Sequence, residues 1–131
     1  MENLKQMDRI NLLGTDKTPR IIFETTGELY MGGRVICDNA EEFFSELIQF
    51  CTNLKENSVV FDINIEYLNT PSSKKLFQLF NSLEANKYIK NVNINWFYDS
   101  DDMDMKEVGT DYSELFTKLN FSFVILYENL V

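Results

Sequence analysis

Between Val59 and Leu68 the side chains alternate, with Val59, Phe61, Ile63, Ile65 and Tyr67 on one side of an extended chain and Asp62, Asn64 and Glu66 on the other. A period of two sustained over that length specifies a β-strand buried on one face only. Val92, Ile94, Trp96 and Tyr98, interleaved with Asn93 and Asn95, repeat the pattern. A chain with two such segments must build a sheet that has one dry face and one wet face.

The stretches between these strands change period. Phe43, Phe44, Leu47, Ile48, Cys51 and Leu54 recur at helical spacing behind Asp38 or Asn39, either of which can cap a helix. Leu76, Phe77, Leu79, Phe80 and Leu83 do the same behind Asn69-Thr70-Pro71-Ser72-Ser73. Upstream, Ile21-Ile22-Phe23 and Leu29-Tyr30-Met31 flank Thr25-Thr26-Gly27 and read as a β-hairpin, with Gly32-Gly33 easing the end of its second strand. Residues 99–117 are acidic and partly helical in pattern, and Phe121 to Tyr127 reads as a closing strand.

Strand, helix, strand repeated in this order favours right-handed crossovers between parallel neighbours. The expected architecture is a single α/β domain, a mixed sheet with helices mainly on one face. The polar sets Asp62, Asn64, Glu66 and Asn93, Asn95 line the other face, open to water or a partner. With 131 residues, 44% of them hydrophobic, the chain has material for one core, so one domain spans residues 1–131. The first 18 residues are expected to be loosely held.

Composition excludes several chemistries. There is no histidine, so Ser-His-Asp and Cys-His nucleophilic systems, a His-ligated zinc and an imidazole pH switch are all out of reach. Twelve basic residues against 21 acidic give a net charge of −9, the wrong sign for a phosphate-backbone binder, so nucleic acid is not an expected partner. Two cysteines, Cys37 and Cys51, are too few for a four-cysteine zinc site or a disulfide framework, and Cys51 lies on an apolar helical face. No apolar leader or membrane span can be written, which points to a cytoplasmic protein with reduced thiols. Five glycines include neither G-x-G-x-x-G nor a Walker loop.

Two segments carry chemistry. In Asp99-Ser100-Asp101-Asp102-Met103-Asp104 the carboxylates suggest a hard cation, but an EF-hand count from Asp99 puts Met103, Asp104 and Thr110 at the fifth, sixth and twelfth positions and fails at all three. Seven acids against one lysine between Asp99 and Glu114 leave −6 there, which suits a helix start stabilised by its dipole. The second segment is Asn69-Thr70-Pro71-Ser72-Ser73-Lys74-Lys75. Proline at the first helical position makes Thr70 the expected N-cap. Three hydroxyls crowd one helix start, where N–H groups and the dipole favour a phosphate. Four lysines against one glutamate between Thr70 and Lys90 make this the locally positive helix of an acidic chain. Phosphorylation of Thr70 would add about −1.5 to −2 charge at an exposed strand-to-helix corner.

Three blocks resemble the SiaC family of bacterial regulatory phosphoproteins: Gly33-Arg34 with Asp38-Asn39-Ala40-Glu41-Glu42-Phe43-Phe44; Glu66-Tyr67-Leu68-Asn69-Thr70-Pro71-Ser72-Ser73-Lys74; and Val92-Asn93-Ile94-Asn95-Trp96-Phe97-Tyr98 with Asp101-Asp102, Asp104-Met105, Glu107, Gly109 and Asp111. The resemblance implies a fold similar to STAS domains, the anti-sigma-factor antagonists, and a partner-switching regulator with no catalysis of its own; no cofactor and no metal are expected. It implies that Thr70 is the reversibly phosphorylated threonine, within a switch and docking corner of Asn69, Ser72, Ser73 and Lys74. It further implies three partners: a serine/threonine kinase of the anti-sigma type, a metal-dependent serine/threonine phosphatase, and a diguanylate cyclase or another effector that the unphosphorylated form binds and activates. The chain departs from the family pattern at Leu68, where phenylalanine is common, at Pro71, where serine is, and at Cys37-Asp38-Asn39, where proline-glutamate-asparagine is. None of these removes the acceptor hydroxyl. The competing expectations are a magnesium-dependent enzyme built on Asp99, Asp101, Asp102 and Asp104, and a constitutive protein-binding scaffold.

Overall fold

The computed structural model describes residues 7–126. Six strands form one sheet in sequential order, β1 (Ile10–Leu12), β2 (Arg20–Phe23), β3 (Glu28–Val35), β4 (Ser58–Leu68), β5 (Asn91–Asp99) and β6 (Leu119–Leu126). β2 runs antiparallel to both β1 and β3, and β3 to β6 run parallel. Each parallel step is bridged by a helix: α1 (Ala40–Asn53), α2 (Thr70–Ala85) and α3 (Met103–Ser113). The mixed α/β sheet expected from the alternating periods is thus present, and the closing strand stands at Leu119–Leu126, with Tyr127 outside the described residues.

The periodicity translates directly into packing. Val59, Phe61, Ile63 and Ile65 of β4 and Val92, Ile94, Trp96 and Tyr98 of β5 are buried, and they share one core with Phe44, Leu47 and Cys51 of α1 and Leu76, Leu79, Phe80 and Leu83 of α2. Phe23, Phe61, Phe80, Tyr112 and Trp96 meet in sequence, with ring centroids 5.2–6.2 Å apart. The opposite face stays wet. Its register row Tyr30, Asp62, Asn95, Ser122 crosses four strands, and Asn95 donates to Asp62 at 2.8 Å.

Three expectations need correction. Ile10–Leu12, within the segment expected to be loosely held, pairs with Leu12↔Ile21 and Ile10↔Phe23 as an edge strand, a length too short to announce itself by alternation. Gly32-Gly33 lies inside β3, not at its end. Gly33 takes φ +109 where the β3 and β4 register shifts, from Gly33↔Ile65 to Arg34↔Tyr67. That shift skips Glu66 and corrects the third expectation: Tyr67 does not continue the buried stripe. The bulge turns it to the open face, where Tyr67 is 53% exposed and its ring lies under the Arg34 guanidinium at 4.6 Å.

Polar side chains fix the lower ends of the helices. Asn86 caps α2 and is buried, and its amide donates to the carbonyls of Cys51 and Leu54 at 2.9 and 2.8 Å, satisfying the end of α1. Glu84 accepts from the Thr117 hydroxyl at 2.8 Å and from the backbone N–H groups of Thr117 and Lys118 at 3.2 and 3.0 Å. Partial burial works to raise the Glu84 pKa, but these donors outweigh it and hold the carboxyl below its usual range. Because the folded value is the lower one, the stabilisation is complete above the unfolded value and is lost as pH falls through the folded one. Glu84→Gln is therefore expected to cost about 1–2 kcal/mol at pH 7, with the penalty shrinking below pH of about 4. Urea unfolding of both proteins at neutral and acid pH measures it, and a penalty independent of pH would refute the assignment.

Candidate functional site

The corner between β4 and α2 is assembled from both sides by hydrogen bonds. The Asn69 N–H donates to the Val35 carbonyl at 3.0 Å, extending the pairing of β4 with β3 by one residue. The Asn69 side chain then does two jobs. Its Oδ1 accepts the Ser72 N–H at 3.0 Å, and its Nδ2 donates to the Cys37 carbonyl at 3.4 Å. Asn69, not Thr70, is the N-cap. Thr70 and Pro71 occupy the first two helical positions. Asparagine ranks with the best caps, and extended backbone at φ −84, ψ 167 places its carbonyl group over the first turn.

The reassignment separates the three hydroxyls. Ser72 is fully buried, and its Oγ accepts the Cys37 N–H at 3.3 Å, so it ties α2 to the start of α1 and presents nothing to a partner. The Ser73 carbonyl accepts the Tyr112 hydroxyl at 2.7 Å, and Ser73 Oγ in turn donates to the Tyr112 oxygen at 2.9 Å. Thr70 is exposed, and no hydrogen bond among the described residues engages its hydroxyl. Lys74, four residues on and so on the same side of α2, is also exposed. Lys75 instead pairs with Glu41 of α1. Of the corner residues named from sequence, Thr70 and Lys74 face solvent, Asn69 and Ser73 are half-buried, and Ser72 is a joint inside the fold.

The N–H groups expected to welcome a phosphate are largely used. Pro71 has none, Ser72 donates to the Asn69 side chain, and Ser73 donates to the Asn69 carbonyl at 2.9 Å. A phosphoryl group on Thr70 would be held mainly by water, by Lys74 and by whatever docks there.

The acidic segment is built as a helix start. Asp102 caps α3 by accepting the Met105 N–H at 3.1 Å, and Asp104 lies in the first turn. Among the described residues no group of three or more candidate ligands is placed to hold a metal ion. Beyond its cap, α3 is seated on β5: Trp96 Nε1 donates to the Met105 carbonyl at 3.0 Å, and Gly109 lies against the indole. Tyr112, on the same helix, reaches Ser73. The two segments that stood out in the sequence are therefore joined by one hydroxyl, a contact that helical spacing alone did not announce. Cys37 and Cys51 are both buried free thiols whose pKa values burial pushes up, which makes them poor nucleophiles.

The corner thus presents the exposed Thr70 at the start of α2, with the cap supplied by Asn69. Family comparison places this geometry in context. The model of the SiaC family of regulatory phosphoproteins matches residues 12–126, and the chain belongs to that family. Among solved structures it is similar to apo-SiaC from Pseudomonas aeruginosa, at 26% identity and a TM-score of 0.75, covering 91% of this chain and 98% of that one. A second SiaC structure from that organism matches at 25% identity and a TM-score of 0.74, covering 93% and 100%. A chain from the crystal structure of the diguanylate cyclase SiaD in complex with its activator SiaC, again from Pseudomonas aeruginosa, shares the fold at 24% identity and a TM-score of 0.73, covering 91% and 99%. No curated protein matches in sequence. Among the described residues no helix is long and apolar enough to cross a membrane.

Proposed function

We propose that this protein is a partner-switching regulator without catalysis of its own, controlled by reversible phosphorylation at Thr70. Its unphosphorylated form binds and activates a diguanylate cyclase. A serine/threonine kinase of the anti-sigma type and a metal-dependent phosphatase set its state. One observation carries the choice of residue. In a run of three hydroxyls, Ser72 is buried, Ser73 is bonded to Tyr112, and Thr70 alone stands exposed, because Asn69 has taken over the cap. The SiaC named as the activator of SiaD supports a cyclase as the effector.

Thr70→Ala is expected to abolish phosphate incorporation by the cognate kinase while leaving thermal stability unchanged, since no hydrogen bond of the described residues is lost. Ser73→Ala is expected to remain a substrate. Intact-mass spectrometry after incubation with kinase and ATP reads both. Phosphate persisting on the Thr70→Ala protein would move the site elsewhere.

A further inference from the structure

The two edges of the sheet are built differently. At one end β1 is three residues long, preceded by Asp8 and Arg9, and the Arg20 guanidinium donates to the Asn11 side chain and the Leu12 carbonyl at 2.6 and 3.0 Å. Shortness and charge are the ordinary protections of an edge. At the other end β6 has none of them. Leu-Asn-Phe-Ser-Phe-Val-Ile-Leu runs eight residues without a charge or a proline, held against β5 by eight register pairs without a bulge. Alternate residues of an edge strand in a parallel ladder turn both N–H and C=O away from the neighbour. From Asn120 to Leu126 no side chain among the described residues takes up those groups. Ile125, 39% exposed, and the half-buried Phe121, Phe123 and Val124 stand beside them.

We propose that β6 pairs antiparallel with β6 of a second copy, joining two six-stranded sheets across a two-fold axis. The sequence of the strand favours itself as occupant. With the axis at Phe123, that ring faces its own copy, and Phe121 faces Ile125 twice, once on each side. These are aromatic and aromatic-to-β-branched pairs of the kind that stabilise sheets. On the wet face Ser122 meets Val124. No charge from Leu119 to Leu126 is brought against its like, which matters for a chain of −9. The isologous contact closes at two, because among the described residues the other edge is the protected β1. The carboxylates of α3, which packs on β5 and β6, ride near the seam, so association is measured at about 150 mM salt, where the Debye length is about 8 Å.

Light scattering coupled to size exclusion is expected to give the full-length protein twice its 15.4 kDa chain mass. Ile125→Lys, a charge set on the exposed edge, is expected to return it to the single-chain mass with an unchanged circular dichroism spectrum. A wild-type protein of single-chain mass overturns the pairing, as does an Ile125→Lys protein that stays double. Should that variant misfold, hydrogen exchange on the wild type decides. Outward-facing β6 amides whose protection rises with protein concentration support the pairing, and protection independent of concentration refutes it.

Discussion

Gly109→Ala is expected to lower the thermal midpoint by roughly 10 °C. A Cβ at this position would lie 2.6 Å from Trp96 Nε1 and 2.7 Å from two further indole atoms, distances no real contact adopts. The indole cannot give way. It is fully buried, and its N–H is bound to the Met105 carbonyl one turn earlier on the same helix. The helix must lift instead, at an overpacking cost of about 1–3 kcal/mol, together with about 1 kcal/mol for the indole hydrogen bond. As Trp96 is the only tryptophan, its fluorescence should shift to the red in the same variant. Differential scanning fluorimetry and an emission spectrum test both expectations. A midpoint within about 2 °C of wild type would show slack between α3 and β5 that the geometry denies.

The second large effect concerns binding. Against the cyclase proposed as effector, Thr70→Glu is expected to bind at least ten-fold more weakly than Thr70→Ala, about 1.4 kcal/mol. Both replacements remove a hydroxyl that makes no hydrogen bond among the described residues, so packing changes little and the comparison isolates charge. Because Ser72 and Ser73 have already spent their N–H groups on Asn69 and Pro71 has none, an added carboxylate finds little compensation within the chain beyond Lys74. Its solvation must then be stripped by the docking partner. Isothermal titration calorimetry of the two variants decides it, and equal affinities would remove electrostatics from the switch.

The residue pattern carried the architecture further than it carried the site. Alternation in β4 and β5 and the 3.6-residue spacing of α1 and α2 arise from burial on one face, a property each segment expresses alone. Tyr67 escaped that logic because the bulge at Glu66 is set by pairing with β3 and by Gly33, outside the strand itself. Local chemistry alone places the cap one residue too far along, for a related reason. Thr70 before Pro71 has the local chemistry of a cap, but Asn69 is fixed by the Val35 carbonyl on a neighbouring strand and so reaches the first turn ahead of it. Asn86 and Tyr112 were invisible, since one buried amide and one hydroxyl declare themselves only through partners more than 30 residues away.

The clamps at the lower ends of the helices divide the domain into two rims. Asn86, Glu84 and Lys118, which donates to the Asn86 and Ile89 carbonyls at 2.8 and 2.9 Å, all lie where the parallel strands begin, whereas Thr70, Asn39 and Asp102 lie where they end. The two rims are therefore separable by mutation. Leu68 and Pro71 stand on the upper rim, away from the buried bonds of Asn86, so under the proposed function substitutions there would retune recognition without touching the clamps that hold the opposite rim.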